Sequence, residues 1–191
     1  YLPPPGGGPT APGGTLWLVG GGDTTLTAET GPVGYPASAR LSDLAGQVRA
    51  AGITAVAAVI GDGSAYSGPG MAVGWREGYV TDGNVTPVSA LEVDGGRPVP
   101  GSTGPRTMTP DAAAASAFAA ALAAAGVQVG SVGTGPADPA AREVAAVESP
   151  PIRVLVERML TDSDNDLSES LGRQVAIARG LPATFEGAAQ G

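Results

Sequence analysis

The run Ile53 to Ile60, ITAVAAVI, enclosed by Gly52 and by Gly61-Asp62-Gly63, restricts the folds open to this chain more than any other stretch. It is short, almost wholly apolar and rich in β-branched residues, so it reads as a strand buried on both faces. Immediately before it, Arg40 to Ala51 sets Leu41, Leu44 and Val48 on one face and stops at Gly52, the pattern of an amphipathic helix. Upstream, Thr15 to Val19, TLWLV, is a second strand candidate that runs into Gly20-Gly21-Gly22. Strand, helix and strand in that order predict an α+β or mixed α/β fold.

The same alternation continues. Thr109-Pro110-Asp111 opens a helix, with Thr109 at the N-cap and Pro110 at the first helical position, and the alanine-rich run extends to Gly126. Val88 to Val93, Val127 to Val132 and Glu143 to Val147 are further strand candidates. Tyr1 to Gly14 is Pro/Gly punctuation with little to bury and reads as a linker or loop. Gly63 to Pro87 reads as an irregular stretch that carries Tyr66, Trp75 and Tyr79. No repeat of 20 to 50 residues is present, which argues against a solenoid.

Beyond Glu148 the pattern changes to helices. Ile152, Leu155, Val156 and Met159 stand at helical spacing, as do Leu167, Leu171, Val175 and Ala178, and Gly180 and Pro182 close the second helix. Residues 1–14, 15–148 and 149–191 thus form a linker, a mixed domain and a helix-turn-helix piece.

Composition removes whole classes of chemistry. The chain has no Cys and no His, and its ten basic residues are all Arg. Disulfides, a thiol nucleophile, the usual zinc sites and a Ser-His-Asp triad are therefore excluded within it. A formal charge of -8 disfavours nucleic acid, whose phosphates require clustered cations. No apolar run approaches the ~20 residues of a membrane span, and no signal-peptide pattern is visible.

Three motifs remain. Gly20-Gly21-Gly22-Asp23 fails the dinucleotide pattern, and without Lys it cannot be a phosphate-binding P-loop, so it reads as a structural turn. Asp162-x-Asp164-x-Asp166 resembles the start of a calcium loop, but Leu167 stands where Gly is needed and Arg173 where the bidentate Glu belongs. Ser163-Asp164-Asn165 lies between two helices. Each of these types is a favoured N-cap, so the triplet alone is explained by capping. Yet S-D-N between two helices is also one of three elements of penicillin-binding proteins and serine β-lactamases, beside S-x-x-K and K-T-G.

The surrounding text favours the second reading. LWLVGGGDTTLT (Leu16 to Thr27), GWREGYVTDGNVTPVSALEVDGG (Gly74 to Gly96) and VESPPIRVLVERMLTDSDNDLSESLGRQV (Val147 to Val175) together span nearly the whole chain. With them the sequence resembles the D-alanyl-D-alanine carboxypeptidases of the class C low-molecular-weight penicillin-binding proteins. That resemblance implies a catalytic part for Ser163 as a proton relay and for Asn165 as a contact to the substrate backbone, with Asp164 holding the turn. A hydroxyl can take and give a proton, and an amide can donate and accept together, which suits both parts. The loop around Trp75 and Tyr79 is a candidate substrate-side wall, or simply an anchored loop. The resemblance implies no cofactor and no metal.

Because Lys is absent, neither S-x-x-K nor K-T-G exists within the chain. In the family resembled the nucleophile lies upstream and K-T-G downstream, with an inserted domain between, here residues 15–148. The short Arg97 to Thr107 link leaves no room for a further insertion. The chain therefore reads as the inactive internal part of an extracytoplasmic serine DD-peptidase that acts on peptidoglycan stem peptides and is acylated by β-lactams. The rest of the same polypeptide would be its partner, and without it Leu155, Met159, Leu171 and Val175 are expected to stand more exposed than their pattern implies, unless a partner or second chain covers them. A non-catalytic envelope-binding module with a degenerate fold is the alternative.

Overall fold

Three parallel strands, β1 (Gly14–Val19), β2 (Ala55–Asp62) and β3 (Gln128–Thr134), form one sheet in the order β1-β2-β3. The structure, a computed structural model, describes residues 1–31, 37–76 and 78–191. Parallel neighbours need a crossover, and each is helical: α1 (Leu41–Ala50) joins β1 to β2, while the connection from β2 to β3 contains α2 (Gly78–Thr81) and α3 (Pro110–Ala124). Three helices follow: α4 (Ile152–Asp162), α5 (Asn165–Ala178) and α6 (Phe185–Gln190). The mixed α/β architecture is the one expected from the sequence.

The periodicities explain the core. Leu41, Leu44 and Val48 of α1 meet Leu16 and Leu18 of β1, Val56 and Val59 of β2, and Phe118 and Leu122 of α3 in one buried cluster. Small side chains let α3 approach the sheet closely. A Cβ on Gly61 would stand 2.4 Å from the Asp111 carbonyl oxygen. Alanine also favours the helical state, so the alanine run both forms α3 and thins its packing face.

Two expected strands are absent. Val88 to Val93 buries Leu91 and Val93, but its backbone makes separate bonds to turns: Gly22 N–H donates to Ala90 O at 2.8 Å, and Val88 N–H to Gly70 O at 2.8 Å. Its apolar pattern reports burial without a ladder. In Glu143 to Val147 a side chain takes the place of a strand. Gln47 donates from Nε2 to Ala146 O at 2.9 Å and accepts the Ala146 N–H at 3.0 Å. The segment 1–14 is largely irregular, but Tyr1 is buried, contrary to the expectation of little to bury. Its hydroxyl donates to Ala11 O and accepts the Gly14 N–H, and Leu2 pairs antiparallel with Thr15.

The helical part is docked rather than loose. Ser170 Oγ of α5 donates to Gly22 O, and Gln174 Nε2 donates to Gly21 O at 2.9 Å. Gly22 has φ +92°, and a Cβ there would fall 2.1 Å from the Tyr66 hydroxyl, so the glycine turn makes room for this contact. Leu155 is buried, which corrects the expectation that it stands exposed; Ile152, Leu160 and Val175 remain open to solvent.

Two consequences can be measured. Gly20 lies against the backbone of Ala90, whose carbonyl oxygen would be 2.2 Å from an added Cβ. Gly20→Ala is expected to destabilise the protein by about 1–3 kcal/mol, read from denaturant midpoints. Glu92 is 2% exposed, with Oε1 unpartnered among the described residues. Burial, reinforced by the Asp166 carboxylate, pushes its carboxyl well above the usual range. An acid with a raised folded value contributes stability that is full below its unfolded value of about 4.3 and is lost as the pH rises toward the folded one. Glu92→Gln should therefore match the parent below about pH 4 and gain on it toward pH 8, by about 1–3 kcal/mol in thermal or denaturant melts. A difference that stays flat with pH would contradict this.

Candidate active site

The turn between α4 and α5 divides its work among consecutive residues. α4 ends at Asp162, and Ser163 takes the left-handed conformation with φ 52° and ψ 44°. A non-glycine residue there costs about 1–2 kcal/mol. Asp164 N–H closes the helix end by donating to Met159 O at 3.1 Å. The Asp164 side chain is the N-cap of α5, accepting the Leu167 N–H at 3.0 Å. Capping thus falls on Asp164, and the exposed Ser163 hydroxyl is spared that task. Asn165 is exposed and donates from Nδ2 to Asn84 O at 3.3 Å.

Asp166 behaves differently. It is 3% exposed, accepts the Thr86 N–H at 2.9 Å through Oδ1, and pairs with Arg106 through Oδ2. Arg106 also donates to Gly83 O at 2.9 Å and to Gly95 O at 3.0 Å. Burial raises the Asp166 carboxyl to about 6, while Arg106 and the Thr86 N–H oppose the rise. At neutral pH it remains a carboxylate, and the ion pair stands. Beside it a cavity of about 360 Å³ is bordered by Glu92, Arg97, Arg106, Arg158 and Asp164.

The three aspartates of the calcium-like pattern do not converge. Asp162 is 59% exposed and faces Arg158 at 3.7 Å, Asp164 caps α5, and Asp166 is buried against Arg106. Among the described residues no cluster of carboxylates is placed to hold a metal ion.

Trp75 packs edge-to-face against Phe185 of α6, with ring centroids 5.5 Å apart, and against Tyr79 at 6.2 Å. Arg173, 1% exposed, lies over the Phe185 ring at 4.1 Å and the Tyr66 ring at 5.6 Å. The aromatic loop is therefore anchored to the helical part. It is also joined to the turn: Tyr79 O accepts the Asn84 N–H at 2.9 Å, and Asn84 O accepts from Asn165. The sequence motifs assign no role to Asn84, Thr86, Arg106, Asp166 or Arg173, although Asp166 and Arg173 stand in the calcium-like pattern and Asn84 and Thr86 in the stretch Gly74 to Gly96.

Chemically the turn offers a hydroxyl and an amide, with no amine or imidazole beside them. The chain has neither Lys nor His, and a guanidinium does not deprotonate in proteins.

Comparison with known proteins places the chain in a family. The family described as D-Ala-D-Ala carboxypeptidase 3 (S13) matches residues 7–105 and 99–191. Carboxypeptidase DacB of Mycolicibacterium smegmatis is 43% identical over 180 residues, which cover 92% of this chain and 38% of that protein. A carboxypeptidase of Mycobacterium tuberculosis is 38% identical over 182 residues, covering 93% and 38%. The chain thus spans well under half the length of both. Penicillin binding protein 4 (dacB) from Haemophilus influenzae shares the fold, with a TM-score of 0.72 and 18% identity over 93% of this chain and 52% of that one. With nearly its whole length matched, the chain belongs to the D-Ala-D-Ala carboxypeptidase 3 (S13) family.

Proposed function

We propose that this chain is the internal part of a serine-type D-Ala-D-Ala carboxypeptidase that removes the terminal D-Ala from peptidoglycan stem peptides outside the cytoplasm. The observation that carries this reading is the division of labour in the turn. The Asp164 side chain caps α5, so the exposed Ser163 hydroxyl is spared that task and stands beside an Asn165 amide held by Asn84 O, in a chain of this family. The nucleophilic serine and its lysine would come from the remainder of the same polypeptide, since this chain contains no Lys. That serine attacks the carbonyl carbon of the penultimate residue, and the C–N bond to the terminal D-Ala breaks. The Ser163 hydroxyl passes a proton to the departing amine nitrogen, and the Asn165 amide holds the substrate backbone. Water then hydrolyses the ester. A β-lactam acylates the same nucleophile, and the exposed Ile152, Leu160 and Val175 belong under the missing half.

In this reading the domain at 15–148 narrows access, with Trp75 and Tyr79 as one wall. Their link to Asn165 through Asn84 supports that part. Trp75→Ala should then change the ranking of peptide substrates by kcat/KM while leaving acylation by a simple penicillin within about threefold, as expected for lost side-chain contacts remote from the reacting bond.

Labelling of the full-length protein by a fluorescent penicillin tests the main reading. The parent should form a stable adduct, and Ser163→Ala should lower the acylation rate by about 10²–10⁴-fold with its circular dichroism and Tm unchanged. Absence of any adduct with the parent would point instead to a non-catalytic envelope module.

A further inference from the structure

Asp166 has no local duty that accounts for its burial. The cap of α5 is Asp164, yet Asp166, two residues on, directs both oxygens toward the segment 84–106. Its neighbour Asn165 donates to Asn84 O, while Asp166 accepts the Thr86 N–H. Two consecutive residues at the start of a helix therefore engage two backbone groups that stand two residues apart on one stretch of the inserted domain.

The groups they engage cannot easily follow a displaced helix. The Arg106 side chain is 8% exposed and is already fixed by Gly83 O and Gly95 O. Thr86 Oγ1 donates to Thr107 O at 2.7 Å, and Gly96, at φ +65°, lies so close that a Cβ would meet the Thr86 side chain at 2.7 Å. A buried ion pair is a weak source of net stability, because desolvation offsets the attraction; selecting one geometry is the use it serves better.

We propose that Asp166 and Arg106 are positioning residues that lock the Ser163-Asp164-Asn165 turn onto the segment 83–106, so that the inserted domain sets where the Ser163 hydroxyl and the Asn165 amide stand. This rests on the carboxypeptidase reading and deepens it, giving the inserted domain a part in the chemistry beyond limiting access.

The test uses the full-length protein and two readouts: the rate of acylation by a fluorescent penicillin, and amide hydrogen exchange of the peptide 159–167 without penicillin. Asp166→Asn keeps an acceptor for Thr86 and loses the charge opposite Arg106. It should slow acylation about 100-fold, the scale of a misplacement near 1 Å, and raise exchange in the turn while β1 to β3 stay protected. Arg106→Lys retains the charge but gathers its donors on one nitrogen and cannot span Gly83 O, Gly95 O and Asp166, and should fall between the parent and Asp166→Asn. On a Ser163→Ala/Asn165→Ala background, Asp166→Asn should cost less than about threefold more, because both groups through which its effect passes are already removed. Acylation by Asp166→Asn within about twofold of the parent would overturn the proposal, as would an Asp166→Asn effect that multiplies fully on that background. So would exchange that rises equally throughout the sheet, which would mark a role in the fold alone. If the parent itself is not labelled, the carboxypeptidase reading fails and the lock is decided by exchange, an unchanged turn in Asp166→Asn overturning it.

Discussion

Two backbones cross in contact where Gly20 meets Ala90, and the rest of the molecule is arranged around that crossing. It lies just beyond the end of β1. Because neither chain can retreat, the segment 88–93 is laid across the turn, which buries Leu91 and Glu92 and leaves the Gly21 and Gly22 carbonyls free to accept from α5. The helix that begins with the S-D-N turn is therefore docked on the end of the sheet by backbone acceptors. Backbone groups are the better choice for this purpose, since their positions are fixed by the strand and not by a rotamer.

The same economy governs the junction nearer the turn. Arg106 addresses three acceptors from two loops and one helix, Gly83 O, Gly95 O and Asp166. A planar guanidinium with several fixed donors can do this, and an ammonium on a flexible stem cannot. Every basic residue of the chain is an arginine, and at this position the geometry requires that residue type.

Most of the fold was legible because it follows from periodicity. The 53–60 run, the Leu41, Leu44 and Val48 face and the Thr109-Pro110-Asp111 start lead to β2, α1 and α3, with ends shifted by one or two residues. Val88 to Val93 and Glu143 to Val147 misled for a shared reason. Apolar pattern records burial, whereas a strand also needs a partner backbone, and here turns and the Gln47 amide took that place. At the site, Ser163, Asp164 and Asn165 were found through a local motif. Thr86 and Arg106 were not, because their contacts to Asp166 span 80 and 60 residues of sequence, and nothing local marks a residue chosen for a distant partner.

Asp162, Asp164 and Asp166 show why residue type and spacing alone could not settle the site. They stand two residues apart, yet one is solvated, one caps and one is buried, because each turn of backbone points it into a different dielectric. The buried one shares its surroundings with Glu92, so two carboxyls and the Arg106 and Arg97 guanidinium groups gather at one place. Both carboxyls cannot be ionised there without cost. Asp166 holds the direct contact with Arg106 and the Thr86 N–H, whereas Glu92 has an oxygen unpartnered among the described residues, and burial together with the Asp166 carboxylate pushes the Glu92 carboxyl upward. A shift of α5 would break the hydrogen bonds of Asp166 and separate its carboxylate from the Arg106 guanidinium, leaving both charges buried and unpaired, so direction and charge together select one arrangement.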